Sequence, residues 1–245
     1  VMGYPIRFSD RGYNSFLNEL RFNLMNDAWE NWKASGKGFN QDGSPTMQTI
    51  QDGKHLARWF NISTGRGDLG AAEPLAPLLA NILFSPRLAA ARLETPYELL
   101  RWDHSMRVKQ HVVRDVAGTT MLGTTVLGLA AMAGVDVDLD PTSSDFGRMQ
   151  IGNTRIDIWG GFQPLVRTFF RIAQQRRKST GTGKSTDLSN EDLFNEFWSF
   201  WRNKLAPIPG FAADLLGGGT FTGDEINWEE ENVKRELWNR FVPLM

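Results

Sequence analysis

One uncharged segment constrains this chain more than any other, the run VAGTTMLGTTVLGLAAMAGV at Val116–Val135. Its 20 residues are close to the length that a helix needs to cross the hydrocarbon core of a bilayer. The run contains small residues that allow close helix contact, and we assign four of them to helix packing or membrane contact: Gly118, Gly123, Gly128 and Gly134. Because glycine and threonine lower its apolarity, the sequence favours a helix buried in protein, with conditional membrane insertion as the alternative.

Composition limits function mainly by exclusion. The chain has 245 residues and no cysteine, which removes disulfides, thiolate metal sites and cysteine nucleophiles. Its 27 basic and 28 acidic side chains leave a net charge of −1, so no overall field attracts nucleic acid. His55, His104 and His111 are scattered, and we expect solvated or core-edge positions for them rather than a metal site. No motif requires a cofactor.

Apolar residues recur at helical spacing through most of the chain, and prolines begin or turn the segments. One stretch differs, because apolar and polar residues alternate in RMQIGNTRIDI on both sides of the two-residue turn Gly152-Asn153. A lone hairpin is unstable unless another layer covers its apolar face. We therefore predict a mostly α fold, an irregular helical bundle with one β-hairpin at about residues 148–158. The hairpin is expected to pack on the Val116–Val135 helix or its neighbours.

The domain organisation follows from the same pattern. We expect residues 1–245 to form a single helical domain, or to be a fragment of a much longer chain, because both ends resemble cuts in a longer polypeptide. The place where an internal boundary is expected is a flexible loop near residues 178–188.

That loop contains KSTGTGKST, Lys178–Thr186, which resembles a phosphate-binding loop made of backbone N–H groups and a lysine. Lys178 occupies the position of the first glycine of that pattern, and an amphipathic basic segment at helical spacing precedes it instead of a buried strand. We therefore interpret the segment as a flexible connector. Its cations form a small basic patch that is a candidate for phosphate or anionic contacts: Arg176, Arg177, Lys178 and Lys184.

A later segment, SNEDLFNEFWSFWRNKLAP, predicts a helix that is apolar around most of its girth. Such a helix needs more cover than one neighbour provides, so a partner or another part of a longer chain is expected to supply it. We assign four aromatic residues of this helix to a partner interface: Phe194, Phe197, Trp198 and Trp201.

No arrangement typical of catalysis stands out, neither a nucleophile–base pair nor a metalloprotease motif nor paired carboxylates. The carboxylates Asp136, Asp138, Asp140 and Asp145 lack the glycine and the closing glutamate of a calcium loop, and we interpret them as solvated. The triplet RGD at Arg66–Asp68 is interpreted as part of a turn. The sequence therefore favours a structural or binding role over an enzymatic one.

Four stretches, taken in order, resemble the C-terminal region of very large phage-encoded proteins, the large polyvalent or internal virion proteins. They are FNISTGRGDLG (Phe60–Gly70), ANILFSPRLAAARL (Ala80–Leu93), DPTSSDFGRMQIGNTRIDIWGGFQPLVR (Asp140–Arg167) and KLAPIPGFAADLL (Lys204–Leu216). The resemblance covers about Tyr13 to Phe241, and its most specific part is SSDFG followed by IGNTRIDIWGGF.

The resemblance implies an internal or ejection protein of the virion, packaged in the capsid and delivered with the genome. It implies assembly near the portal, help in forming a DNA-translocation conduit across the host envelope, and location in the envelope or cytoplasm after ejection. Expected partners are portal or core proteins and other copies of the chain, with phage DNA and host membrane as further candidates. It implies no catalytic residue. The alternatives are a nucleotide-hydrolysing or lytic module of a phage polyprotein, and a docking domain that modulates a host or phage enzyme.

Overall fold

The computed structural model describes residues 3–179, 182–202 and 204–218, together with residues 234 and 238. This part of the chain is mostly helical, with eight α-helices and two small antiparallel sheets, which confirms the predicted fold class. The helices are α1 (Gly3–Ala34), α2 (Met47–Ser63), a 3-10 helix (Gly70–Leu75), α3 (Ala76–Ile82), α4 (Pro86–Leu100), α5 (Met106–Met132), α6 (Gln163–Gln174), α7 (Asn190–Arg202) and α8 (Pro207–Gly217). The strands are β1 (Asp136–Val137), β2 (Arg148–Ile151), β3 (Thr154–Asp157), β4 (Arg176–Lys178) and β5 (Ser185–Asp187).

The chain divides into two compact units. The first contains Val1–Asp68 and Arg87–Thr120, and the second contains Leu69–Pro86 and Met121–Met245. The division falls within α5, between Thr120 and Met121. Residues 178–188 lie inside the second unit.

The first unit has an apolar core. α2 begins at Met47 because the hydroxyl of Thr46 accepts the backbone N–H of Thr49 at 3.3 Å as an N-cap. Gly53 of α2 brings that helix close to α1, since a methyl group there would lie 3.3 Å from the ring of Trp29. The buried apolar side chains come from α1, α2, α4 and α5: Ala28, Trp32, Leu56, Trp59, Phe60, Ile62, Ala91, Val108 and Val112.

The interior of the second unit is more polar. Among its described residues only four apolar side chains are buried: Leu127, Met149, Leu188 and Ala206. Seven polar or charged side chains are buried there: Thr142, Ser143, Gln163, Thr168, Arg171, Glu196 and Asp214. Buried polar groups are tolerated only when they are hydrogen-bonded, so side-chain hydrogen bonds hold much of this unit together.

The predicted hairpin is confirmed. β2 and β3 pair antiparallel from Arg148↔Asp157 to Ile151↔Thr154, with Gly152 at φ +60° in the turn. The structure adds the short strand β1, which pairs with β2 on its other side to give the order β1-β2-β3.

Side chains of α6 hold the loop between β1 and β2. Gln163 and Arg167 both donate hydrogen bonds to the backbone oxygen of Ser144, at 3.2 and 3.1 Å. Arg171 donates from Nε to the backbone oxygen of Thr142 at 2.8 Å. Arg167 is half-buried near Arg171, and burial is the main reason that its pKa falls to about 10. Polar contacts from α6 therefore hold this loop at Thr142 and Ser144.

The sequence prediction was wrong for Arg176–Lys178. The helical spacing that precedes the KSTGTGKST loop includes them, but α6 ends at Gln174 and Gln175 adopts a left-handed conformation with φ +51°. Arg176–Lys178 then form β4, which pairs with β5 at Arg176↔Asp187, Arg177↔Thr186 and Lys178↔Ser185. The segment Lys178–Thr186, expected to be a flexible connector, thus begins and ends in a second antiparallel strand pair that the sequence pattern did not predict.

Candidate functional site

The predicted partner interface, four aromatic residues of α7, is largely exposed. Phe194, Phe197 and Trp198 retain 67%, 50% and 57% of their surface exposed. Trp201 is half-buried and packs against Phe197, with ring centroids 6.3 Å apart at a steep angle. The described chain therefore leaves this face largely uncovered, in the place where the sequence assigned a partner.

The interior side of α7 explains why its aromatic side chains face outward. Glu196 is the buried residue of this helix, at 9% exposure, and it lies against Arg171 of α6, at 4%. Arg171 Nη1 lies 3.0 Å from Glu196 Oε2, and Arg177 Nη1 lies 3.3 Å from Glu196 Oε1. α6 and α7 are therefore joined through a charged contact, while apolar side chains of α7 lie outside.

α6 has the same reversed polarity. Its buried residues are Gln163, Thr168 and Arg171, whereas Phe169 and Ile172 are exposed. An amphipathic helix of a soluble protein normally turns its apolar stripe to the core. We call α6 and α7 the reversed helix pair. One signal of it is visible in the sequence, the single acidic residue Glu196 within the aromatic run FNEFWSF.

In the first unit, α4 shows a related arrangement. Glu98 and Thr95 are buried on it, and Leu93, Tyr97 and Leu100 are exposed. Glu98 Oε1 lies 3.0 Å from Arg58 Nε and 3.2 Å from Arg101 Nη1, and Glu98 Oε2 lies 3.0 Å from His104 Nε2. These charged neighbours hold Glu98 inside, on the same helix as the core residue Ala91, while Leu93, Tyr97 and Leu100 remain outside.

The groups around Glu98 have shifted pKa values. Burial lowers the pKa of His104, an effect that the nearby Glu98 carboxylate opposes. A hydrogen bond from Arg101 lowers the pKa of Asp103 to about 2. His55 stacks edge-on against His104 with ring centroids 4.9 Å apart. His104 is thus a core histidine, next to a carboxylate and a second imidazole.

The glycines of the uncharged run lie in three different environments. Gly123 is buried against Trp159, and a methyl group there would lie 2.7 Å from two ring carbons. Gly118 and Gly128 have open space where a side chain would stand, and Gly134 lies beyond the helix end with φ +84°. Among the three glycines inside α5, Gly123 is therefore the one that close packing against a described neighbour requires to be glycine.

The expectation that this helix is buried was wrong for the described chain. Leu127 is buried, but Met121, Leu122, Leu129 and Met132 are exposed. The polar interior of the second unit offers too little apolar surface to cover them. Over the described residues, none of the helices combines the length and apolarity that a membrane crossing needs.

The basic patch is largely neutralised within the chain. Arg176 Nε lies 3.5 Å from Asp187, Arg177 Nη1 lies 3.3 Å from Glu196, and Lys178 Nζ lies 3.4 Å from Asp140. Lys184 is exposed beside β5. The structure brings the first three cations onto one strand, with carboxylates next to them.

Three of the four aspartates of the β1–β2 region have structural partners. Asp138 and Asp140 accept the backbone N–H groups of Asp140 and Thr142, each at 2.9 Å. Asp145 lies between Arg148 and Arg155, and Asp136 is exposed in β1. Within the described residues, no three His, Asp or Glu side chains converge in a way that would hold a metal ion.

Comparisons with protein-family models, with curated proteins and with solved structures found no match to this chain.

Proposed function

We propose that this chain is an assembly segment of a phage particle, an internal or ejection protein that packs against other copies of itself and against portal or core proteins. The observation that carries the proposal is the reversed helix pair: α7 buries Glu196 and exposes Phe194, Phe197 and Trp198. The resemblance of Asp140–Arg167 and the three other stretches to internal virion proteins supports the location in a virion.

The exposed aromatic side chains of α7 leave a large apolar surface in contact with water. Burying a Phe or Leu side chain stabilises a protein by about 1.5 to 3 kcal/mol. A monomer that keeps three large aromatic residues of one helix exposed forgoes that stabilisation, and contiguous exposed apolar surface typically marks an interaction site. Aromatic residues are also enriched in protein–protein interfaces. Other protein chains are therefore the occupants that we propose for α7.

The uncharged part of α5 supports the same interpretation. Met121, Leu122, Leu129 and Met132 are exposed, and Gly128 leaves open space on this helix. Small residues let a second backbone approach closely. We propose that this part of α5 is covered when copies assemble into the conduit that carries DNA across the envelope.

Size-exclusion chromatography with light scattering tests self-assembly. We expect the wild-type chain to form oligomers as its concentration rises, and the triple variant Phe194→Ser/Phe197→Ser/Trp198→Ser to remain monomeric. Asn195→Ala, an exposed position on the same helix, is the matched control and should assemble like the wild type. A wild-type chain that stays monomeric at high concentration contradicts self-assembly.

The location in the virion has its own test. Mass spectrometry of purified particles of the encoding phage should detect peptides of this chain, and their absence from the particles would contradict a virion role.

Flotation with phosphatidylcholine–phosphatidylglycerol vesicles tests whether the chain contacts the membrane directly when it helps to form the conduit across the envelope. If neither the single chain nor its assembled form floats with the vesicles, direct membrane contact is removed from the proposal.

A further inference from the structure

A polar cleft of about 370 Å³ lies in the second unit, between the β1-β2-β3 sheet and the β4–β5 strand pair. Its lining includes Asp136, Asp138, Gln150, Arg155, Lys178 and Ser179. The volume falls at the lower end of the range for small-molecule sites, although such sites are usually more apolar. The cleft has no part in the assembly surfaces on α5 and α7.

The strand register orders the side chains on one wall. Asp136 of β1 is paired with Gln150 of β2, and Gln150 is paired with Arg155 of β3. Side chains of directly paired residues lie on the same face of a sheet, with Cβ atoms about 4.5 to 5.5 Å apart. A carboxylate acceptor, an amide and a guanidinium donor therefore stand side by side. The Gln150 amide nitrogen donates to the Gly152 oxygen at 3.2 Å, which leaves its carbonyl oxygen and a second N–H for a ligand.

The charge of the lining argues against a phosphate ligand. Three acidic and three basic side chains line the cleft: Asp136, Asp138, Asp145, Arg148, Arg155 and Lys178. Asp145 already lies 2.8 Å from Arg155 and 3.5 Å from Arg148, and Lys178 lies 3.4 Å from Asp140 outside the lining. A phosphate would compete with these carboxylates for each cation while also facing Asp136 and Asp138.

We propose that this cleft binds a neutral, hydroxyl-rich ligand of the size of a mono- or disaccharide. A sugar hydroxyl donates one hydrogen bond and accepts others, so neighbouring hydroxyls match a row of acceptor, amide and donor. An uncharged ligand leaves the ion pairs of Asp145 and Lys178 in place. Gly183, which lies between β4 and β5 in the sequence, thus contributes to a polar wall and not to a phosphate cradle.

Saturation-transfer NMR on the full chain tests this inference, with glucose, N-acetylglucosamine and maltose as neutral probes and ATP and inorganic phosphate as anionic ones. We expect transfer to at least one sugar and none to ATP. Gln150→Ala should weaken sugar binding about fivefold, the effect of losing one hydrogen bond. Asp136→Asn should also weaken it, because a neutral amide oxygen accepts a weaker hydrogen bond than a carboxylate. Thr154→Ala is the control, an exposed residue of the same sheet outside the lining, and should bind like the wild type.

Three outcomes overturn the inference. They are the absence of transfer to every sugar, sugar binding that neither Gln150→Ala nor Asp136→Asn weakens, and competition of ATP or phosphate with the sugar. Because the readout is direct binding, none of these outcomes depends on whether the chain assembles. Circular dichroism of each variant shows that a loss of binding is not a loss of fold.

Discussion

Arg171 of α6 and Glu196 of α7 form a buried ion pair with 3.0 Å between Nη1 and Oε2, in a helix pair whose exposed side chains include aromatic residues. The Arg171 guanidinium also donates to the Thr142 backbone and to the Ser144 hydroxyl, at 2.8 and 3.0 Å. One side chain thus connects α6 to α7 and to the loop that precedes β2. Such a contact fixes how α6 and α7 meet without using their apolar surface, and that surface remains exposed.

Removal of the Glu196 carboxylate should destabilise the fold strongly. Glu196→Ala leaves the Arg171 charge buried without its carboxylate, and breaking a buried pair in this way costs about 3 to 5 kcal/mol. We expect the free energy of unfolding, measured by urea titration with circular dichroism, to fall by about 3 kcal/mol. The matched substitution Asn195→Ala, at an exposed position, should change it by less than about 0.5 kcal/mol. If Glu196→Ala lowers the free energy of unfolding by less than about 1 kcal/mol, the pair is not essential to the contact between α6 and α7.

Alanine substitutions at Gly123 and Gly128 should have opposite effects on stability. At Gly123 the new methyl group would displace Trp159, whose indole N–H donates to the Gly147 oxygen at 2.9 Å, and overpacking costs about 1 to 3 kcal/mol. At Gly128 the methyl group meets open space, and alanine stabilises a helix by about 0.5 to 1 kcal/mol relative to glycine. Thermal unfolding of the two variants measures both signs. Equal effects at the two positions would contradict the contact between Trp159 and Gly123.

The chain should lose stability on mild acidification. Burial lowers the pKa of both His104 and His111 in the folded state, so the unfolded chain binds protons first as the pH falls. The free energy of unfolding should therefore be unaffected by these groups above about pH 7 and should decrease from about pH 6.5 toward pH 5. Urea titrations across this range measure the slope. His104→Gln should reduce the slope, and an unchanged slope in the variant would exclude His104 as its source.

Binding of DNA through the basic patch should be weak until its carboxylates are removed. Arg176 and Lys178 lie next to Asp187 and Asp140, so a phosphate must compete with these carboxylates. We expect fluorescence anisotropy with a short DNA duplex to show little binding at physiological ionic strength, and Asp187→Asn to increase it. The additional substitution Arg176→Ala should reverse that gain. Tight binding by the wild type that Arg176→Ala does not weaken would place DNA contact elsewhere.

Local sequence patterns predicted those parts of the fold that depend on near neighbours. The alternation around Gly152-Asn153 gave the hairpin, because a two-residue turn with positive φ fixes its own register. The aromatic run FNEFWSF predicted the helix α7 and the apolar surface that it leaves exposed. The strand at Arg176–Lys178 was missed, because basic residues at helical spacing carry no signal that Gln175 turns left-handed and that β5 pairs with them.

The sequence by itself determined that the chain is mostly helical, that one hairpin is present, and that α7 carries more apolar surface than one neighbour can cover. Only the tertiary structure decided which face of each helix is inside. Helical periodicity shows that residues share a stripe, but Arg171 reaches Glu196 from 25 residues away, and this distant pairing turns the charged stripe inward. No local pattern in either helix signals this contact, because it forms only when the two helices meet in three dimensions.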